Sequence, residues 1–303
     1  MKHFLLKIFD NNYAEKYYQK QKGVDGDIID WFRVIPFILI HFGALAALWT
    51  HFEWYLVWVA LFLFVIRMFA ITGFYHRYFA HKTFKTSRLM QFIFAFIGST
   101  AAQRGPIWWA SHHRRHHLNS DRHNDHHSPH THHFLWSHMG WFLAKKNFLT
   151  DRKVVRDLIK FKELVLIDRF DWFPPVVLLL SLFLIGEHLS LTSGISGLNM
   201  VIWGFCVSTI LVYHCTFAVN SIAHLWGTQR YNTKEESKNN FFVALFTFGE
   251  GWHNNHHHFP GSIRQGFYWW EVDLTYYALR FLSFFGIVYN LRTVSKAIRQ
   301  KHN

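Results

Sequence analysis

Four stretches of this chain are apolar enough, for long enough, to cross a bilayer, and the long segments outside them, 75–172 and 224–303, are basic and rich in histidine. They cover roughly 32–52, 54–74, 173–195 and 199–223, each near the ~20 residues that a hydrocarbon core requires. His41, Arg67, Glu187 and His214 interrupt them, which a bilayer tolerates where such residues face protein or an interface. A fifth apolar stretch, Leu89 to Ala102, is shorter and broken by Gly98, so it reads as a buried or interfacial helix that does not cross. The pattern predicts an all-α integral membrane protein: four transmembrane helices in two hairpins. One domain over 1–303 is expected, with a helical cap built from 75–172 and 224–303.

Lys and Arg decide the orientation, because basic loops stay on the cytoplasmic side. Sixteen lie between Tyr75 and Trp172, whereas the turns around His51 and from Leu191 to Leu198 hold none. The cap and both termini are therefore expected in the cytoplasm. The first residues, MKHFLLKIFDNNYAEKYYQ, lack the apolar core and cleavage site of a signal peptide and read as an amphipathic surface segment. The net charge of +13 raises the question of nucleic acid. A basic face beside anionic membrane lipid accounts for that charge, and no nucleic-acid-binding signature accompanies it, so no such partner is expected. Cys206 and Cys215 fall on one predicted helix about 13 Å apart along its axis, too far for a disulfide.

Histidine changes the picture further. The chain holds 24, and they gather at the cytoplasmic ends of the spans and in the loops between. HRYFAH gives His76 and His81; HRRHH gives His113, His116 and His117; HNNHH gives His253, His256 and His257; NSIAH gives Asn220 and His224. On a helix, positions i, i+3 and i+4 fall within about 60° of one another, so each triplet shares a face, as do Asn220 and His224. His76 and His81, five apart, lie about 140° apart on an ideal helix. They reach one centre only if the helix frays, or else they serve two metals, and a binuclear site accommodates the spacing. Nine imidazoles are too many for one ion and would supply two with four or five nitrogens each. Imidazole suits iron, zinc, copper and nickel alike, so spacing does not choose the metal.

An isolated histidine is more often a solvated or interface residue than a ligand, and three boxes with a fourth pair on one membrane face reverse that preference. His112 and His258 start no H-x-x-H-H pattern and are left out. The loop HNDHHSPHTHH, His123 to His133, has no helical regularity and contains a proline, so it reads as a solvated surface, with His127 less certain. A metal transporter would need coordinating residues along a path at mid-membrane depth. His41, Glu187 and His214 are the candidates, and they are scattered. Trp108, Trp109, Trp141 and Trp252 flank the boxes and are candidates either for the wall of a substrate tunnel or for an interfacial aromatic belt.

The motifs TGFYHRYFAH, WWASHHRRHH, WSHMGWFLAKK, NSIAHLWGTQRY and GEGWHNNHHHFP resemble those of the membrane fatty-acid desaturases, the stearoyl-CoA desaturase family, in their order and spacing, from about Gly73 to the segment VDLTYYALRFLSFFGIVYNLR. The HSP in the intervening loop is similar to bacterial-type members. The resemblance implies two irons held by His76, His81, His113, His116, His117, His224, His253, His256 and His257, with Asn220 acting through water. It implies dioxygen as co-substrate and a cis double bond introduced at the delta-9 position of a saturated long-chain acyl group, carried as acyl-CoA. It also implies a separate electron donor, such as ferredoxin, flavodoxin or a b-type cytochrome with its reductase, since no haem-binding donor domain is recognised in the chain. A related di-iron membrane hydroxylase is the alternative, against which NSIAHLWG and GEGWHNNHH argue.

Overall fold

The computed structural model describes residues 2–20, 27–50, 52–193 and 196–301. Among the described residues its regular structure is helical apart from a short antiparallel pairing of Lys85–Thr86 with Val288–Tyr289 and isolated bridges in the loops. Four helices are long and apolar enough to span a membrane: Trp31–Leu48, Trp54–Ala80, Phe173–Ser190 and Gly197–Leu225. They are called the first to fourth spans below. The first stops short of the expected 52. The second and fourth run past their expected ends at 74 and 223, carrying His76 and His224 beyond the apolar zone on unbroken helix, with Asn220 one turn before His224. Hydropathy could not mark that continuation, because the polar residues there meet protein rather than water. His51, in the first expected turn, and residues 194–195, at the end of the third expected span, lie outside the described residues.

The two turns sit at one end of the bundle and the cap at the other. Gly197 approaches the third span so closely that a Cβ would stand 2.5 Å from Phe183 O, and Glu187 accepts the Gly197 N–H at 2.7 Å. Glu187 is thus spent on the turn. Trp203 Nε1 donates to Thr50 Oγ1 at 3.2 Å, joining the two turn regions. At the opposite end Asp30 N donates to Leu143 O at 2.9 Å and Arg104 pairs with Asp171 at 2.8 Å, fixing the starts of the first and third spans to the cap.

Within the bundle, Arg67 is fully buried. A cation in hydrocarbon is costly unless its N–H groups are donated. Here they go to Thr209 Oγ1 at 2.7 Å, Thr100 O at 3.2 Å, Leu63 O at 3.3 Å and Ser208 Oγ, pinning the second span to the fourth. His41 and His214 are not scattered after all: their Nε2 atoms are 3.3 Å apart, and His214 Nδ1 meets His138 Nε2 of the cap at 3.0 Å. The two contacts use opposite nitrogens of His214, so the rings form a line and not the converging set a metal needs, and Glu187 sits at the far end of the bundle.

The main core lies where the second span enters the cap, with Phe74 stacked on Phe94 at 3.7 Å. Helix Arg88–Ser99 buries Phe94, Ala95 and Gly98 and exposes Leu89, the one-sided burial expected of a helix that does not cross. The amino-terminal segment is less superficial than expected. Helix Asn11–Gln19 buries Ala14, Glu15 and Tyr18 against the cap, and Asp10 pairs with Arg169 at 2.6 Å. The four-span reading predicts that a cysteine placed at Leu198 labels with an impermeant reagent from one side of sealed membranes only. One at His130 should label from the other side only. Labelling of both from the same side would refute the paired hairpins.

Candidate metal centre

The helix that carries the second box, Pro106–Asn119, starts with proline at its first position, where the missing N–H costs nothing. Asp168 Oδ1 accepts the next two orphan donors, Ile107 N and Trp108 N, each at 2.9 Å. Gly105 must be glycine, since a Cβ there would lie 2.3 Å from that carboxylate. The third box forms the short helix His253–His258. Too short to be stable alone, it is held by its two asparagines. Asn254 Oδ1 accepts from Arg230 N and Tyr231 N at 2.8 and 2.7 Å, and Asn255 Nδ2 donates to Gln265 O and Glu271 Oε2 at 3.0 and 2.9 Å. The box therefore alternates clamps with imidazoles.

The first box lies on a π-helix, Ala70–Ala80. Its i→i+5 bonds bring residues five apart onto one face, and His81 N donates to His76 O at 3.1 Å. The two rings stand 4.8 Å apart. The 140° separation of an ideal α-helix thus does not apply, and His76 and His81 join one cluster without fraying and without being shared between two.

Two clusters result. The first gathers His76, His81, His113, His117 and His256; the second gathers His116, His224, His253 and His257, the ring nitrogens in each lying within 4.8 Å of one another. Boxes two and three do not present a single face to a single centre. Each splits, with neighbouring residues turned to opposite clusters: His116 and His117 have ring centroids 5.6 Å apart, and so do His256 and His257.

Carboxylates orient the rings from behind. Asp125 Oδ2 lies 3.0 Å from His116 Nδ1, Asp121 Oδ2 2.9 Å from His224 Nδ1, Glu235 Oε2 3.5 Å from His257 Nδ1, and Glu250 contacts His76 Nδ1. A carboxylate holds the ring proton on Nδ1 and leaves the Nε2 lone pair facing inward. Those lone pairs converge. His256 Nε2 is 2.9 Å from His117 Nε2 and 3.1 Å from His76 Nε2, His81 Nε2 is 2.7 Å from His113 Nε2, and His224 Nε2 is 3.0 Å from His253 Nε2. His116 Nε2 and His257 Nε2 are buried with no hydrogen-bond partner. Converging acceptors without enough protons to share are a poor hydrogen-bond network and a good cradle for cations, and imidazole nitrogens fit a transition metal.

The electrostatics agree. Burial, and then the neighbouring rings, push His81, His113, His117, His253, His256 and His257 well below the ordinary imidazole pKa, so they stay neutral. Burial opposes charge on Asp121 and Asp125 too, but His224 and His116 hold both carboxyls below their usual range. Burial pulls His116 down as well, but Asp125, joined by Asp121 and Glu235, raises it above the ordinary value.

His112 and His258 stay out of both clusters, the first contacting Leu149 O at 3.2 Å and the second stacked on Tyr231 at 3.9 Å. The loop after the second box is not a uniformly solvated surface. Asp125, His127 and Ser128 are buried in it, whereas His123, His130 and His133 are exposed. Sequence reasoning missed all four carboxylates. Glu250 stood inside the quoted GEGWHNNHH, and only the expectation that each metal-ligating histidine has a carboxylate behind it could have singled it out.

A cavity of about 680 Å³ runs from the cap into the bundle, lined by residues of the first, third and fourth spans. Trp108, Trp109, Trp141 and Asn220 line it; Trp252 does not, and instead buries its ring and donates to Val272 O at 2.8 Å. His113 belongs to the first cluster and lines the cavity, with Trp109 stacked on it at 5.0 Å.

The six depressed imidazoles bear on stability. An unfolded chain takes up their protons near the ordinary value of 6.5 while the folded chain does not. Their contribution is therefore present above that pH and lost as pH falls below it, by about 1.4 kcal/mol per group and pH unit. His116 has the opposite sign and is outnumbered. In excess chelator, the melting temperature should fall between about pH 7.5 and about pH 5.5; a flat or rising profile would contradict the burial argument.

The chain's similarities run the same way. The family model described as fatty acid desaturase matches residues 52–292. The chain is 36% identical over 274 residues to the icosanoyl-CoA 5-desaturase of Limnanthes douglasii, covering 88% of this chain and 73% of the relative. It is 35% identical over 271 residues to the sn-1 stearoyl-lipid 9-desaturase of Anabaena variabilis, covering 88% and 96%. It is 32% identical over 277 residues to the delta-9 acyl-lipid desaturase 1 of Arabidopsis thaliana, covering 90% and 87%. With four spans, two histidine clusters at their cap and these likenesses along most of its length, the chain belongs to the fatty acid desaturase family, membrane oxidoreductases that act on fatty acyl chains.

Proposed function

We propose that this protein is an oxygen-dependent di-iron desaturase that introduces a cis double bond at carbon 9 of a saturated long-chain acyl group, presented as its CoA ester, on the cytoplasmic face of the membrane. The observation that carries the reading is the shared wall, since His113 belongs at once to a histidine cluster and to the apolar cavity. A methylene resting against Trp109 would lie beside the cluster while the rest of the chain stays in an apolar sheath of a size usual for a ligand site.

Removing hydrogen from an unactivated methylene is beyond any side chain, and bound iron with dioxygen and two electrons would supply the oxidant. His76, His81, His113, His117 and His256 would hold one ion, and His116, His224, His253 and His257 the other, with Asn220 contributing through water. The protein's own part is orientation and exclusion. Asp121, Asp125, Glu235 and Glu250 keep protons on the outward nitrogens, and Trp108, Trp109 and Trp141 keep bulk water from the acyl chain. Electrons come from a separate donor, a ferredoxin, flavodoxin or b-type cytochrome with its reductase.

Active protein should contain two iron ions per chain. His113→Ala, His117→Ala, His224→Ala or His256→Ala should each abolish desaturation and lower metal content at matched membrane expression, since even a residue behind a ligand is worth about 10–100-fold in affinity. His112→Ala and His258→Ala should keep most activity and both ions, with Asn220→Ala between the two groups. A single ion in active protein, or a dead His258→Ala beside an active His253→Ala, would overturn the assignment.

Expression with labelled saturated fatty acids and mapping of double bonds should give a cis-9 product, formed from acyl-CoA in isolated membranes. A hydroxylated product would replace desaturation with oxygen insertion. A cis-9 product formed only from lipid-bound chains would change the carrier and leave the reaction standing.

A further inference from the structure

Outside the four spans the cap carries two helices with bare apolar faces. Helix Phe241–Phe246 exposes Phe241, Phe242, Leu245 and Phe246, and no charged residue occurs from Phe241 to Phe248. Helix Leu274–Phe284 exposes Tyr277, Phe281 and Phe284, the last 85% exposed, with Arg280 its single charged residue among them, whose long stem lets the guanidinium reach up toward the headgroups, and Phe285 follows. Soluble surfaces rarely carry apolar patches this large, and those that do are covered by something.

Depth decides what covers them. Phe248, just past the first of these helices, packs edge-on against Phe64 with ring centroids 5.9 Å apart. Phe64 lies ten residues into the second span, about 15 Å along its axis at 1.5 Å per residue, near the middle of the hydrocarbon core. The second helix is also low. Thr275 Oγ1 meets Thr72 Oγ1 at 2.7 Å, and Thr72 falls within the apolar stretch that ends at 74. The patch also reaches the cap end of the fourth span, where exposed Trp226 stacks on Phe242 at 6.0 Å just past exposed Leu225. A surface contiguous with lipid-facing helix and level with lipid is covered by lipid.

We infer that helices Phe241–Phe246 and Leu274–Phe284 lie in the bilayer as non-crossing helices, their exposed faces against lipid acyl chains, so that the cap is partly sunk in the membrane. The third histidine box runs between them, from Gly249 to His258. The two clusters it completes therefore sit close to the level of the lipid chains. This inference concerns the seating of the cap and is independent of the reaction proposed above.

Nitroxide labels test it in nanodiscs of phosphatidylcholine and phosphatidylglycerol, using the full chain with Cys206→Ala and Cys215→Ala. Labels are placed one at a time by Phe246→Cys and Phe284→Cys, with Phe62→Cys on the lipid face of the second span and Lys234→Cys on the polar cap as references. Labels at 246 and 284 should collide with oxygen several-fold more readily, relative to a water-soluble nickel chelate, than the label at 234, and should resemble the label at 62. Leu245→Cys and Phe281→Cys serve if either variant expresses poorly. Accessibility like that at 234 would overturn the inference. So would labels immobilised and shielded from both reagents, because another protein or a second copy would then cover the face.

Discussion

Nine imidazole edges turned inward, with no acid among them, form an arrangement that a folded chain cannot satisfy by its own hydrogen bonds. Each ring brings one proton, several of those protons are already committed to carboxylates on the outer side, and the inner nitrogens are left as lone pairs about 3 Å apart. Much of the surrounding structure serves to hold this unfavourable convergence in place. The π turn, the asparagine clamps and the carboxylates are the means, because a ring free to rotate would relieve the crowding by turning its nitrogens away.

The support reaches beyond the clusters through Arg77, which is fully buried and pairs with Glu250 at 3.1 Å and Asp273 at 2.9 Å. Glu250 holds His76, while Asp273 accepts from Tyr276 N at 2.9 Å and so caps the helix that follows. One guanidinium therefore joins the second span, the third box and a cap helix. Breaking such a pair by removing one partner is far costlier than the net value of the pair, since the remaining charge is stranded in a dry place.

Much of this was legible in the chain because membrane spans and histidine boxes are both written in local spacing. Apolar length located four helices within a few residues, and the H-x-x-H-H frame kept His112 and His258 out of the clusters. What stayed hidden depends on contacts between distant segments. The π turn under His76 and His81 has no local marker, so spacing alone implies an α-helical angle that does not hold there. Asp121 and Asp125 sit in a polar loop that looks solvated until the fourth span's His224 and the second box's His116 are seen against them. His41 and His214, 173 residues apart, meet only once the first and fourth spans pack. Trp252 stood beside a box, and proximity in sequence said nothing about which way its ring would face.

The splitting of the second and third boxes has a consequence for how far the two clusters can drift apart. In each box two consecutive residues point to opposite clusters, so their spacing is measured by a single peptide unit, about 3.8 Å between Cα atoms, and by the splay of two side chains. The chain applies this gauge twice, on two unrelated helices, and arrives at 5.6 Å between rings both times. Loops can lengthen, spans can tilt and the cap can ride higher or lower without altering that measure. It is a dimension of the site whose upper limit is set by covalent bonds, with packing left to choose only the splay of the rings.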